Sequence, residues 1–192
     1  MAIAQLIPPS NWQILNGGDL AKFISEEFDV SRNILSAAKP SFPSNAFAVL
    51  EYRPVGYVDV SAKANIDSNA VAAQIKEDLQ ILSNEMQLSA QEALRWQGFV
   101  LQPQFRMQEK TLDYGIAVYF GQDLAINFYR TVLVKNGVVV LTIVCSDKDA
   151  VQLDASWKIQ IASEMNYQNY RPGVDMKAEG NLDNVVLMNE IM

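Results

Sequence analysis

The chain has 192 residues, a formal net charge of −7 and a hydrophobic fraction of 49%. A chain of this length suits one domain and buries roughly 70% of its unfolded surface, so it needs neither a metal nor a disulfide to fold. It has no histidine and a single cysteine, Cys145. This composition excludes Ser-His-Asp and Cys-His catalytic sites, histidine metal ligands and a cysteine-rich zinc site. The acidic balance disfavours a nucleic-acid partner, because binding to phosphates requires a basic surface.

Neither a membrane span nor an export signal is expected from the sequence. The longest apolar runs, such as Gly137 to Val144, are less than half of the roughly 20 residues that a spanning helix needs. Residues 1–9 lack a basic start and a long apolar core, so they do not resemble a signal peptide. We expect one α+β domain over residues 1–166 and a C-terminal tail over residues 167–192.

The N-terminal half predicts an extended entry, a first helix and several strands. Residues 1–18 contain several prolines and glycines, which are typical of turns. Asp19 is placed to cap a helix over Leu20 to Phe28. Three segments then have strand composition: residues 32–38, Ala46 to Tyr52 and Gly56 to Ala62.

The longest predicted helix follows these strands. Asp67 or Ser68 would cap it, and it ends near Gln87. Its apolar residues step by three or four: Val71, Ile75, Leu79, Leu82 and Met86. Leu88 to Arg95 is ambiguous and is read as a possible helical turn.

From Trp96 onward the hydrophobic period changes to two, which is typical of strands. Pro103 is expected to interrupt the first of them, and Tyr114 to Phe120 and Leu124 to Val134 alternate clearly. Asn136-Gly137 is the preferred pair for a two-residue hairpin turn, and Val138 to Cys145 returns from it. This returning strand is apolar on both faces, which predicts a central place in the sheet.

The C-terminal part predicts two further helices, over Asp149 to Met165 and Val185 to Met192. The element order is helix, strands, long helix, hairpin-linked strands, helix. It predicts an α+β sandwich in which an antiparallel β-meander sheet is packed with helices.

Several short segments carry a family resemblance. They are Tyr52 to Asp59, Asn65 to Asp67, Phe99, Pro103 to Phe105, Asn127 to Leu133, Asn136 to Val139 and Tyr167 to Tyr170. In this order, over roughly residues 10–175, the chain resembles an uncharacterised bacterial family of membrane-anchored proteins with a domain of unknown function. At the level of fold alone, the element order also resembles the sandwich of PsbP-like and DcrB-like proteins.

The resemblance implies a location in the bacterial envelope. Members typically carry an export signal before the domain and a spanning helix after it, and neither is found here, so the alternative is a cytoplasmic protein that has diverged from the anchored family. At positions where members have acids, this chain has Ser61, Ala62 and Lys63. Where members favour the pattern Trp-x-x-x-Pro-x-Tyr, it has Phe99 and Phe105 at the two aromatic positions.

The acidic clusters do not form a recognisable catalytic or metal site. Counted from Asp147, a calcium loop would place an oxygen ligand at Val151 and a glycine at Gln152, so the pattern fails. We expect Asp147 and Asp149 to favour a helix start instead. Glu26-Glu27 and Glu77-Asp78 are neighbours on helices, where side chains diverge by about 100°, so neither pair forms a carboxylate dyad.

Cys145 and the Gly17-Gly18-Asp19 segment each have a structural and a chemical interpretation. Cys145 ends an apolar strand and is expected to be a small buried side chain, although Lys148 and a following helix would favour a reactive thiol. Gly17-Gly18-Asp19 could offer backbone N–H groups to an anion, but a phosphate loop would need more glycines and a Lys with Ser or Thr. Helix capping is the expected role.

These observations favour a non-catalytic interaction domain with a protein partner. No cofactor, metal or catalytic residue is predicted, and the oligomeric state is open. Partner contacts are expected in the segments that carry the resemblance and on an outward aromatic face of the sheet: Arg53, Tyr57, Asp59, Tyr119, Tyr129 and Arg130. The alternative is a small-ligand-binding protein, or a hydrolase that works without histidine, with its cleft between the sheet and the long helix.

Overall fold

A computed structural model describes residues 3–28, 32–60, 66–149, 151–169 and 185–187. In chain order its elements are β1 (Ala4–Ile7), β2 (Trp12–Ile14), α1 (Gly17–Glu27), β3 (Ile34–Pro40), β4 (Phe47–Arg53), β5 (Tyr57–Asp59), α2 (Ser68–Glu85), β6 (Leu94–Arg106), β7 (Thr111–Phe120), β8 (Asp123–Val134), β9 (Gly137–Ser146), β10 (Lys158–Ile161), two 3₁₀ turns (Ser163–Met165 and Tyr167–Asn169) and β11 (Val185–Leu187). No helix within these ranges is long and apolar enough to cross a membrane.

The main sheet has seven antiparallel strands in the order β2-β3-β4-β9-β8-β7-β6. β9 lies in the middle, between β4 and β8, as its two apolar faces predict. Two small sheets accompany the main one: β1 pairs antiparallel with β10, and β5 pairs parallel with β11. The predicted α+β class and antiparallel sheet are confirmed.

One face of the main sheet, which we call the strand-covered face, packs against the β1–β10 pair. Leu50, Leu141 and Ile143 point to this side and are fully buried. Trp12 and Trp157 close it with an edge-to-face contact, their ring centroids 4.8 Å apart. This is the larger part of the hydrophobic core.

The opposite face, which we call the helix-covered face, holds both helices. Phe23 of α1 packs on Ala37 and Val49, near one edge of the sheet. α2 lies along β6 near the other edge, with Ile75 and Leu79 packed against the second core cluster. The middle of the face, over β9, lies between them, and there Thr142 and Val144 are only half buried.

The apolar stripe predicted for α2 holds only for its first turns. Leu82 and Met86 are 43% and 52% exposed, although both continue the stripe. Ser83 is buried in their place: its hydroxyl donates to the Leu79 carbonyl and accepts from the Leu94 N–H at 3.0 Å. The end of α2 is therefore tied to β6 by a hydrogen-bonded serine.

The helix predicted over Asp149 to Met165 is wrong. Residues 151–157 run without regular structure, and β10 follows, with Ile159 and Ile161 half buried and their neighbours exposed. Trp157 is buried, and its indole N–H donates to the Gln152 carbonyl at 3.2 Å. The apolar residues of this segment cover the sheet from a loop and a strand, so their irregular spacing was not helical.

The first strand predicted after α2 is longer than expected. β6 begins at Leu94, and it continues past Pro103 instead of stopping there. β6 is an edge strand whose pairing with β7 shifts register at several places. An edge strand tolerates proline, because a backbone N–H on its free side pairs with no neighbouring strand and its absence breaks no hydrogen bond of the sheet.

The turn between β8 and β9 lies one residue earlier than predicted. Val134 pairs with Gly137, so Lys135 and Asn136 are its central residues, and Asn136 has φ 61°. Gly137 begins β9 and does not need a positive φ. It is constrained by space, because a Cβ there would collide with the backbone carbonyl oxygen of Arg53.

The helix starts are partly as expected. Asp67, one of the two predicted candidates, caps α2 by accepting from the Asn69 N–H at 2.9 Å, and Ser68 is the first helical residue. α1 begins earlier than predicted, at Gly17, with Asn16 at its N-cap, so Asp19 lies in the first turn. The helix predicted over Val185 to Met192 is replaced at its start by β11, and residues 188–192 lie outside the described ranges.

Candidate binding cleft

A cleft of about 420 Å³ opens on the helix-covered face, between α1 and the middle strands. We call it the arginine cleft. Its apolar walls are Phe28, Phe47, Val49 and Val144, and its polar lining is Arg32, Glu51, Arg53, Tyr129 and Thr142. α1 packs on β3 and β4 at one side of the cleft, and the half-buried surface of β9 lies beside it.

Two arginines converge on one carboxylate in this cleft. Arg32 donates from Nε and Nη2 to the two oxygens of Glu51, at 3.0 Å and 2.5 Å. Arg53 donates from Nε to Oε2 of the same carboxylate at 3.0 Å. The Glu51 side chain is 9% exposed, whereas those of Arg32 and Arg53 are 33% and 40% exposed. The cluster therefore carries one net positive charge at the mouth of the cleft.

The ionised forms of Glu51 and Arg32 are favoured. Burial alone would raise the pKa of Glu51, but hydrogen bonds from Arg32 and Arg53 and their charges hold that pKa below its ordinary value. The pKa of Arg32 is raised, chiefly by its hydrogen bond to Glu51. Each guanidinium has five N–H donors, and Glu51 engages only part of them. A second anion can therefore bind to the same two arginines.

Tyr129 adds a polar group to the floor of the cleft, and Asn127 lies near it on the same strand, outside the lining. Tyr129 stacks on Tyr114 with ring centroids 4.7 Å apart, and burial raises its pKa, so its hydroxyl stays protonated. Asn127 lies two residues earlier on the same face and pairs with Val144 in the sheet register. Within the described residues its Oδ1 is buried without a hydrogen-bond partner. A buried carbonyl oxygen without a donor is unusual and suits a water molecule.

The structure brings two of the six predicted contact residues together. Arg53 and Tyr129 both line the arginine cleft. Tyr57 and Asp59 lie on β5, where Tyr57 stacks on Tyr167 with ring centroids 5.3 Å apart. The Tyr167 hydroxyl donates to the Val58 carbonyl at 2.7 Å, so the start of the predicted tail docks on β5.

The other two predicted residues lie on the opposite side of the sheet. Tyr119 is half buried beneath the guanidinium of Arg95, which lies 5.4 Å from the ring centroid. Arg130 makes a bidentate pair with Asp113 and donates to the Trp157 carbonyl at 2.7 Å. Arg130 therefore holds the 151–157 loop against the sheet, and its side chain is only 12% exposed.

Cys145 is buried and free, as expected from its strand. Burial, together with the nearby Asp149, raises the pKa of its thiol to about 11, so the nucleophilic thiolate is disfavoured at neutral pH.

Asp149, near Cys145, does not start a helix but holds neighbouring segments together by hydrogen bonds. Asp149 accepts from the hydroxyls of Ser44 and Ser146, at 2.7 Å and 2.8 Å, and these bonds lower its pKa. No group of three metal-ligating side chains occurs in the part of the chain that the structure describes.

Sequence reasoning missed Arg32, Glu51 and Asn127. Glu51 is the one charged residue in the predicted strand from Ala46 to Tyr52, and strand alternation places it on the same face as Arg53. A buried charge in an apolar strand needs an oppositely charged partner, so Glu51 could have been identified from the sequence as part of a charged site. Arg32 could not be found in the same way, because it precedes β3 and reaches Glu51 only through the pairing of β3 with β4.

One family profile matches this chain, over residues 1–184, and its description is protein of unknown function (DUF2167). No curated protein and no solved structure matches. The resemblance to an uncharacterised family that the sequence segments indicated is therefore confirmed, and the chain belongs to the DUF2167 family of proteins of unknown function.

Proposed function

We propose that this chain is a non-catalytic interaction domain that binds a carboxylate-bearing peptide segment of a protein partner in the arginine cleft. The observation that carries the proposal is the pair of arginines on Glu51, because it leaves a net positive charge in a cleft of an acidic protein. Planar guanidinium groups hold carboxylates through paired hydrogen bonds.

The rest of the cleft fits a peptide end with an apolar residue. Phe28, Phe47 and Val144 supply apolar walls for a side chain. The hydroxyl groups of Tyr129 and Thr142 in the lining can accept from a peptide N–H, which a simple inorganic anion lacks. A volume of about 420 Å³ takes one or two residues, so the partner would insert a chain end.

The test is the binding of short peptides that end in Phe or Leu, each measured as the free acid and as the C-terminal amide. We expect the acids to bind and the amides to lose about tenfold or more in affinity, because a charge-assisted hydrogen bond contributes roughly 1.5–3 kcal/mol. Arg53→Gln should weaken binding of the acid to the level of the amide. Arg95→Gln, which removes an arginine outside the cleft, is the matched control.

Equal binding of acid and amide, or full binding to the Arg53→Gln variant, would refute the carboxylate site. Binding of small aromatic carboxylates with no gain from the peptide N–H would instead favour the small-ligand alternative. No residue of α2 lines the arginine cleft, so this site differs from the cleft between the sheet and the long helix that the sequence predicted.

The partner is proposed to lie in the bacterial envelope. This part of the proposal rests on the family resemblance of the sequence segments alone. Membrane fractionation of cells that express the native gene tests it, and recovery of the protein in the cytosolic fraction would contradict it.

A further inference from the structure

A second cavity, of about 600 Å³, lies at the end of the sheet where β6 turns into β7. We call it the basic cavity. Four cationic side chains line it: Arg106, Lys110, Arg130 and Lys158. It shares no lining residue with the arginine cleft.

The charge of this cavity is opposite to that of the chain. Glu109 is its one lining carboxylate, and Asp113 lies behind it, where it pairs with Arg106 and Arg130 at 2.9 Å and 3.0 Å. Even with both acids counted, the cavity keeps two positive charges in a protein whose net charge is −7. Concentrated charge of one sign inside a concave surface focuses the field on an incoming ion.

The two lysines carry this excess. Lys158 of β10 makes no ion pair within the described residues, although acids outnumber bases in the sequence. Among the described residues, the Lys110 ammonium has two polar or ring contacts, with the Met107 sulfur at 3.2 Å and with the Tyr167 ring at 5.7 Å from its centroid. The arginines are already held by carboxylates, so the lysines are the cations that remain for a ligand.

The backbone conformation of Lys110 also helps to place its ammonium group at the cavity. Lys110 has φ 53°, a left-handed conformation that favours Gly or Asn. The chain therefore places a lysine where a glycine or asparagine would be less strained. Its carbonyl accepts from the Leu133 N–H at 2.9 Å, which fixes the turn against β8. This arrangement positions the ammonium group at the cavity.

We propose that the basic cavity is a binding site for a phosphate-bearing group with two or more negative charges. Lys110 and Lys158 would bind its oxygens directly, and Arg106 would contribute from its pair with Asp113. The apolar side chains of Val132, Ile159 and Ile161 in the same lining suit a phosphate carried on a glycerol or other partly apolar group. A soluble phosphate ester and a lipid headgroup share this chemistry.

The experiment uses the full chain with two kinds of probe at constant ionic strength. Inorganic pyrophosphate and glycerol 3-phosphate test the soluble source, by calorimetry and by NMR of the backbone amides. Vesicles of phosphatidylcholine with and without phosphatidic acid test the lipid source, by co-sedimentation. We expect binding to at least one probe, with the largest amide shifts around Lys110 and Lys158.

Two variants locate the binding. Lys110→Asn keeps a residue that tolerates the left-handed backbone, and Lys158→Gln replaces the charge of an exposed side chain on β10 by an amide one atom shorter. Each should weaken binding by about tenfold, as expected for the loss of one charge-assisted hydrogen bond. The matched control is Lys148→Gln, an exposed lysine beyond the end of β9. Ser146 there pairs with Ala125, about 23 Å along β8 from Val132, so binding should not change.

Binding of the soluble probes that both variants weaken supports a soluble phosphate ligand. Binding to phosphatidic acid vesicles alone, again weakened by both variants, supports a lipid headgroup. No binding to any probe, or binding that both variants retain, overturns the proposal. Amide shifts of the unmodified chain that lie away from the cavity would also overturn it, independently of how the variants fold.

Discussion

Gly115 provides the sharpest test of core packing in this fold. It lies in the middle of β7, opposite Phe128 of β8. A Cβ at this position would lie 2.6 Å and 2.8 Å from two ring carbons of Phe128 and 2.9 Å from a methyl group of Val100. Ordinary contacts begin near 3.4 Å, so the ring would have to move by about 0.8 Å. Val100 is 47% exposed and can turn away, but Phe128 is 8% exposed and packed in the core.

We therefore expect Gly115→Ala to destabilise the protein by about 1–3 kcal/mol, the usual cost of overpacking a core. At roughly 2–4 °C per kcal/mol for a chain of this size, the melting temperature should fall by several degrees. Urea denaturation gives the free energy of unfolding directly. The matched control is Gly18→Ala in α1, where nothing lies within 4 Å of the added Cβ. That change should stabilise by about 0.5–1 kcal/mol.

A double-mutant cycle identifies the partner in the collision. Phe128→Leu removes the ring atoms that the new methyl group would meet, so Gly115→Ala should cost less in that background than in the wild type. An unchanged free energy of unfolding for Gly115→Ala alone would refute the reasoning. So would a cost that is the same with and without the Phe128 ring, because the ring would then not be the constraint.

Three further predictions concern single side chains. Glu51→Gln should lower the free energy of unfolding by about 1–3 kcal/mol at pH 7, because it leaves two arginines without their carboxylate. Since folding lowers the pKa of Glu51 below its ordinary 4.5, this loss of stability should be full above pH 4.5 and should shrink as the pH falls through the lowered pKa. A loss that does not depend on pH would contradict this. Cys145 should resist iodoacetamide at pH 8 in the native state and react fully in urea, whereas fast native alkylation would show that its thiol is exposed or ionised. Tyr167→Phe should cost about 1 kcal/mol in urea denaturation by removing the hydroxyl that bonds to Val58 and Tyr57, and no loss would argue against that docking.

The two proposed sites can be lost independently. The arginine cleft depends on the pairing of β3 with β4, and the basic cavity depends on the turn between β6 and β7 and on β10. Arg53→Gln should therefore leave phosphate binding unchanged, and Lys158→Gln should leave peptide binding unchanged. Loss of both activities in either variant would indicate a change of fold and not of a site.

The sequence by itself determined the elements that have a strong local signal. The alternation from Tyr114 to Val134 and the doubly apolar run from Val138 to Cys145 predicted adjacent antiparallel strands with β9 in the centre. Asp67 identified the start of α2, because its side chain caps a neighbouring N–H. These features depend on residues close in the chain or on burial of both strand faces, and both can be read from a single segment.

Tertiary structure decided the features that depend on which segments meet. The apolar residues from Val151 to Met165 do not form a helix, because β10 gains its hydrogen bonds from β1, almost the whole chain away. Gly137 begins a strand and not the second half of a turn, because it pairs with Val134, and the carbonyl of Arg53 on the neighbouring strand leaves no room there for a Cβ. The arginine cleft likewise arises only when β3 brings Arg32 to Glu51 and α1 leaves the middle of the sheet open. Such contacts depend on strand order and register, and these are set by the packing of the whole sheet.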